Sequence, residues 1–383
     1  MWLSQRILPE EGAIPVRNSA DEITARQAVM LVVAVQIGIG ILTLPSEVAE
    51  SAGHDGWISV LFGGVVFFLA TLAIIALCSR FDGCSIFDIN RAIFGKFLSY
   101  IINTLFLIYL IVAAIASLTT LVGIVGSWFF KSTPAWVLVS YMSIPSVYLA
   151  YKGLKGVCRF NFLLVILIPL LLSLVIFNLK YFQIHKLMPV GIHGLPRIAG
   201  AFPQTALTYM GFETLLFVFP YIKDKRHVMK YTSVGFIAMI FILTIFTADS
   251  IAVFGEDMLK KRLSSFVGFA KMISVPVLER IDLYYFAAWI AAMVLSVNAY
   301  MFLAYDAART VYGIKSRRIC HTVISAVIII ISVFMARDIY TNLMLNKYTT
   351  YGLLAFGAAY PVLLLLIALI TRKGVKKRNE KNS

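Results

Sequence analysis

QIGIGILTLP, residues 36–45, decides how this chain is read. It lies inside an uncharged run, 27–46, that is otherwise built like a membrane helix, yet two glycines and a proline crowd its second half. In a helix interior glycine costs about 1 kcal/mol and proline about 3 kcal/mol. Irregular backbone at membrane depth survives only where it is buried in protein or lines a cavity. A segment that interrupts itself there therefore points to a site.

The rest of the chain supplies the membrane. Of 383 residues, 60% are hydrophobic and 14% charged, against roughly 25% charged in soluble domains; mean hydropathy is +0.87. Stretches free of Asp, Glu, Lys and Arg run 27–46, 56–79, 97–130, 132–151, 160–179, 198–222 with Glu213 alone inside it, 231–248, 283–305, 319–336 and 348–371. Most match the roughly 20 residues a helix needs to cross the hydrocarbon. The expected fold is all-α and polytopic, with about ten transmembrane helices in a domain 23–372, between a polar tail 1–22 and a basic tail 373–383. The third stretch is longer than needed, so it should tilt strongly or extend beyond the bilayer.

The polar first residues hold Pro9 and Pro15 and no secretory-type apolar core, so no cleavable signal peptide is expected. With both termini cytoplasmic, 23 of the 34 lysines and arginines fall inside, which favours that orientation. The loop 260–280 is the exception. The net charge of +15 is spread over short loops and the run RKGVKKRNEK, with no basic domain, which argues for anionic lipid over nucleic acid. Cys78, Cys84, Cys158 and Cys320 all fall at or near the inner ends of stretches, where no disulfide is expected, and their spacing fits no metal pattern.

A second interruption follows five stretches later. Residues 198–222 contain Pro203, Gly211, Glu213 and Pro220. With five spans per half, the second half lies upside down relative to the first, and stretches one and six become symmetry mates in a 5+5 inverted repeat. Paired Gly/Pro-interrupted spans at corresponding positions point to a midplane binding site. At Gly38, Ile39 and Gly40 the break frees amides at the start of a half-helix, which attract a carboxylate. At Tyr209 to Glu213 it frees carbonyls, which suit an ammonium group. A zwitterionic amino acid fits both ends.

Each residue also has a plainer reading. Glycines in membrane helices permit close packing. Glu213, costly in the membrane, is functional by default, with a structural hydrogen bond as the alternative. Gln36, Tyr109, Ser117, Thr119, Thr120 and Asn298 taken singly read better as interhelical hydrogen bonds than as ligand contacts. Asp249 and Asp306 lie near span ends. In 255–282, Leu259, Leu263, Phe266, Val267, Ala270 and Ile273 recur at helical spacing and predict one short amphipathic helix on the outer surface, serving packing. No nucleophile–base pair, phosphate loop or metal cluster is visible, so neither catalysis nor a cofactor is expected.

ITARQAVMLVVAVQIGIGILTLPSEVAESAGHDGWISVLFG, YMGFETLLFVFPYI and VLERIDLYYFAAWIAAMVLSVNAYMFLAYDAARTVYG resemble the integral-membrane B subunit of spore nutrient germinant receptors, over roughly residues 22–372. That family is a branch of the amino acid, polyamine and organocation transporter superfamily. GIGILTLP followed by AGHDGWIS, together with GFE in stretch six, marks the branch, whereas GIG alone marks the superfamily. The resemblance implies a LeuT-like inverted-repeat fold in the inner spore membrane, a membrane A subunit and a lipoprotein C subunit as partners, and a small nutrient such as an amino acid as ligand. It also implies that Gly38, Ile39, Gly40 and Ile41 meet the ligand carboxylate, facing Tyr209, Met210, Gly211, Phe212 and Glu213. Pocket side chains vary with the nutrient, so ligand identity does not transfer. A sensing subunit, a proton-coupled amino acid permease with Glu213 as proton carrier, and a scaffold with a vestigial pocket all share this fold.

Overall fold

The structure, a computed structural model, describes residues 21–38, 40–81, 84–164, 168–192, 194–261, 264–273, 280–336 and 338–374. Ile39, Leu263 and most of both tails lie outside the described residues. Among the described residues the architecture is helical, with one isolated parallel bridge between Ile23 and Ile222.

Helix α1 (Ala25–Gln36) starts at a capping box, in which the Thr24 side chain accepts from the Gln27 amide and Gln27 reaches back to the Thr24 amide. After the break comes α2 (Gly40–Ala52), then α3 (Gly56–Arg80). Helix α4 (Ile86–Trp128) begins at a second capping box, Ser85 with Asp88. It bends at Gly95, whose φ of 77° and ψ of −175° belong to glycine. The long third stretch is thus part of a 43-residue helix whose first turns fold away from the rest. Asn90, at the bend's near side, donates to Asn103 at 2.7 Å and accepts from Tyr360 at 2.7 Å, which fixes that angle.

Helix α5 (Ala135–Lys152) ends at Gly153, and α6 (Leu154–Leu164) and α7 (Ile168–Asn178) follow. The sixth stretch divides into α8 (Gly194–Gly200), α9 (Phe202–Tyr209), a 3-10 turn at Phe212–Thr214 and α10 (Leu215–Val218). Helix α11 (Val228–Phe254) is continuous. The segment expected to form one amphipathic helix forms two, α12 (Glu256–Lys260) and α13 (Ser265–Met272), because the chain restarts at an N-cap, Ser264, whose side chain accepts from the Val267 amide. Leu259, Phe266, Val267 and Ala270 are buried, so the packing role stands.

Helix α14 (Ile281–Tyr312) runs through the interior, packed against α1, α4, α5, α6 and α15 (Arg317–Met335). Finally α16 (Ile339–Gly352) passes through a π-helical segment, Leu353–Ala359, into α17 (Tyr360–Ile370). Six helical stretches among the described residues are long and apolar enough to cross a membrane: Gly40–Arg80, Ile86–Trp128, Lys225–Phe254, Ile281–Tyr312, Arg317–Met335 and Tyr340–Ile370. Among the described residues of the other apolar stretches, α5 is a single helix and α1, α7 and the pieces of the sixth stretch are shorter ones. Exposed Phe62, Leu69, Ile108, Tyr141, Phe241 and Leu366 give the bundle an apolar exterior, as a multi-pass membrane protein requires.

Candidate functional site

The two interruptions meet. In the first, Ile37 still bonds back to Val33, and the Gly38 amide turns back to the Val35 carbonyl at 3.1 Å. Of the amides expected to be free, Gly38's is therefore used. Helix α2 begins at Gly40, and its first amides have no acceptor within their own helix. In the second interruption Met210 is extended and Gly211 takes φ of 123°. That angle is open to glycine alone among common residues.

Close approach accounts for the glycines. A Cβ on Gly40 would overlap the backbone and side chain of Thr208 in α9; one on Gly38 would overlap the Ser296 hydroxyl of α14; one on Gly211 would sit 2.9 Å from the Val35 side chain. Gln36 then bridges the breaks, donating from Nε2 to the Tyr209 carbonyl at 3.3 Å. One carbonyl freed in stretch six is thus engaged. The other Gln36 amide atom, Oε1, is buried without a partner. Ile41, Tyr209, Met210 and Phe212 are buried around the same junction.

Glu213 is its hub. Oε2 accepts from the Gly211 amide at 2.8 Å, while Oε1 accepts from Tyr109 of α4 at 3.0 Å and Tyr300 of α14 at 2.5 Å. Carboxyl and both phenols are buried. Behind them lies the π-helical segment, where a Cβ on Gly357 would stand 3.2 Å from Glu213 Cβ. Such segments concentrate at functional positions. Three hydrogen bonds to one carboxyl group satisfy it in a setting where an unpaired polar group is costly.

Asn298 is buried on α14 with both amide atoms unpartnered. Two residues from both Ser296 and Tyr300, it lies about 200° around the helix from them. Ser296 and Tyr300 share the face toward the breaks, the former donating to the Val35 carbonyl at 3.1 Å. Sequence reasoning passed over both. Their signal was the i, i+4 spacing of two hydroxyls in an apolar helix. Ser117 back-bonds within α4, and Thr119 and Thr120 bond Asn342 and Asn346 of α16, away from the junction. Tyr221 donates to Asp306.

Both sides of the junction are tied shut. On one, Ile23 and Ile222 pair, the Ala25 amide donates to Asp224 at 2.6 Å, and Lys223 meets Glu22 at 2.7 Å. On the other, Asp55 accepts from the Gly191 amide at 2.7 Å, Arg197 donates to the Ser51 carbonyl at 2.9 Å, and His54 and Lys260 both contact Glu256. Desolvation pushes the Glu256 carboxyl upward, but the Lys260 ammonium and His54 outweigh it and hold it below its ordinary 4.5.

A multi-pass bundle with two broken helices packed break to break is a transporter-like architecture. Solved structures of that class share it: Mhp1, a nucleobase-cation-symport-1 family transporter in a closed conformation with bromovinylhydantoin bound, superposes with a TM-score of 0.63 at 12% identity, over 92% of this chain and 80% of that one. MhsT in complex with L-phenylalanine gives 0.59 at 14% identity, over 91% and 98%. Within that architecture, the chain belongs to the spore germination protein family, whose sequence profile matches residues 22–339. Relatives include spore germination protein GerQB of Bacillus cereus, 25% identical over 90% of this chain and 94% of its own length. Spore germination protein YndE of Bacillus subtilis (strain 168) is 23% identical over 94% and 99%, and protein B2 of the same strain 27% identical over 57% and 60%.

Proposed function

We propose that this protein is the nutrient-sensing B subunit of a spore germinant receptor, holding a small zwitterion such as an amino acid at the junction of the two breaks. The carrying observation is the convergence of both breaks, Gln36 and the Tyr109–Glu213–Tyr300 cluster on one buried point. The ligand carboxylate would meet the first amides of α2 near Gly40 and Ile41, and its ammonium the unpartnered Gln36 Oε1 and the last carbonyls of α9. Tyr109, Tyr209, Met210, Gly211, Phe212 and Glu213 form the facing wall and Gly38 the turn, whereas Asn298, on the other face of α14 from Ser296 and Tyr300, stays outside that wall. That MhsT holds L-phenylalanine in the same fold supports the ligand class.

The wider reading has ten spans, 5+5 and inverted, in a domain 23–372. Both termini are cytoplasmic in the inner spore membrane, and a membrane A subunit and a lipoprotein C subunit complete the receptor. No catalytic or cofactor role is assigned.

One observation favours a second reading. Glu213 is a carboxyl buried among phenols, which is what a proton carrier of a coupled amino acid permease requires. Germination of a deletion strain, complemented with this gene and challenged with single nutrients, decides for sensing if response to one nutrient returns. Labelled-nutrient uptake in vesicles, abolished by Glu213→Gln while binding persists, decides for transport.

A further inference from the structure

Outside the junction, α5 and α15 lie side by side and enclose a groove of about 550 Å³ on the bundle's exterior. Its walls are Ser140, Ile144, Val147, Tyr148 and Tyr151 of α5 and His321 of α15. Ile144 and Tyr148 are 61% and 59% exposed, so the groove opens sideways, toward the surface that the apolar exterior offers to lipid.

One end of the groove is basic. Exposed Arg318 donates from Nε to the Tyr151 hydroxyl at 3.2 Å, which holds its guanidinium over the mouth. Lys152, which follows Tyr151 in α5, holds its ammonium 5.1 Å from the Tyr148 ring centre. Arg317 joins them, shared between the Tyr151 carbonyl at 3.4 Å and Asp21 at 3.9 Å. Asp306, the other acid of that region, is bound by Tyr221. The mouth thus keeps a surplus of positive charge over the apolar channel.

His321 supplies a second, independent pointer. It is 5% exposed and held edge-on between Tyr151 and Tyr305, at 5.5 and 5.7 Å. One ring nitrogen donates to the Val147 carbonyl, and Nε2 is buried without a partner in a residue that lines the groove. A neutral imidazole that donates through Nδ1 presents Nε2 as an acceptor. That atom calls for a hydroxyl.

An apolar channel, cations at its mouth and a buried acceptor just inside together match one molecule. We propose that this groove binds an anionic glycerophospholipid whose headgroup carries free hydroxyls, of the phosphatidylglycerol kind. An acyl chain lies along Ile144 and Val147, the phosphate faces Arg318 and Lys152, and a headgroup hydroxyl donates to His321 Nε2. Basic pockets between membrane helices take such headgroups. A transmembrane helix of a partner would fill the channel but leave the cations and Nε2 unanswered.

The test is lipid retention by the full-length purified chain, read by native mass spectrometry against phosphatidylglycerol, phosphatidylcholine, phosphatidic acid and soluble glycerol phosphate. The proposal predicts at least tenfold preference for phosphatidylglycerol over phosphatidylcholine, and several-fold over phosphatidic acid, which lacks the hydroxyls. Arg318→Ala should lower the preference over phosphatidylcholine several-fold, and Ser140→Trp should reduce retention of every two-chain lipid without lowering the thermal midpoint. His321→Gln should narrow the margin over phosphatidic acid. Equal retention of phosphatidylglycerol and phosphatidylcholine would overturn the proposal. So would an Arg318→Ala and Ser140→Trp pair that both behave as wild type, or displacement by glycerol phosphate as effective as by the lipid. A photo-reactive residue at Tyr148 that captures another receptor subunit in place of lipid would also refute it.

Discussion

The Tyr300 hydroxyl donates to Glu213 Oε1 over 2.5 Å, and so ties α14 to the second helix break. Tyr109 donates to the same oxygen from α4, and the Gly211 amide holds the other, so the carboxylate sets the spacing between two long helices and a broken one. Tyr300→Phe removes one of three donors and leaves the ring. A hydrogen bond is worth about 0.5–1.5 kcal/mol, or up to about 3 kcal/mol where the acceptor is charged. The nutrient concentration for half-maximal germination should rise roughly 2- to 100-fold at unchanged protein level, the upper end applying to an ionised Glu213. Combined with Tyr109→Phe, the loss should differ from the sum of the two single losses, since both phenols share one acceptor.

Gly40 faces the Thr208 backbone with no room for a methyl group. Gly40→Ala should therefore act first on packing, with overpacking costing about 1–3 kcal/mol. A lowered thermal midpoint of the solubilised protein is expected alongside any lost response. A normal midpoint with an abolished response would assign this glycine to ligand access.

Gln36 spans the breaks with one amide atom bonded and the other open. Gln36→Met keeps the volume and removes both functions. Nutrient affinity should fall about tenfold or more, as expected when a ligand ammonium loses a buried acceptor. Equilibrium binding of labelled amino acid to membranes checks it.

Why the breaks were legible and their partners were not is a matter of local against long-range signal. Gly38, Gly40 and Gly211 announce themselves because glycine is out of place in a lone apolar helix, and Glu213 because it is the one acid deep in such a run. Tyr300 and Ser296 gave no such contrast, since α14 is buried on all sides over residues 292–305 and its hydroxyls there sit among other aromatics and small residues. The amides foreseen as free were also partly spent: closing the turn from Gly38 to Val35 costs nothing in sequence and cannot be read from it. The restart at Ser264, likewise, is an N-cap inside a run whose apolar spacing alone favours one continuous helix.

The ties at Glu256 carry a pH dependence. Glu256 is held below its ordinary 4.5, so the charged form is favoured by folding. Its contribution is complete above that value and is lost as pH falls through the lower folded one. At pH 7 Glu256→Gln should unfold at a lower temperature than wild type, and the gap should close well below pH 4.5. A gap independent of pH would show that the His54 and Lys260 contacts with Glu256 do not couple its charge to folding.

The most direct test of nutrient sensing at this junction is paired measurement on Glu213→Gln: nutrient dose-response of spores that carry it as their sole copy, and labelled-nutrient uptake in vesicles. The glutamine keeps the shape and one acceptor while removing the ionisable group. A germination curve displaced to higher nutrient, with no uptake in either variant or wild type, is the predicted result. A wild-type dose-response from a normally accumulated Glu213→Gln protein would contradict the account.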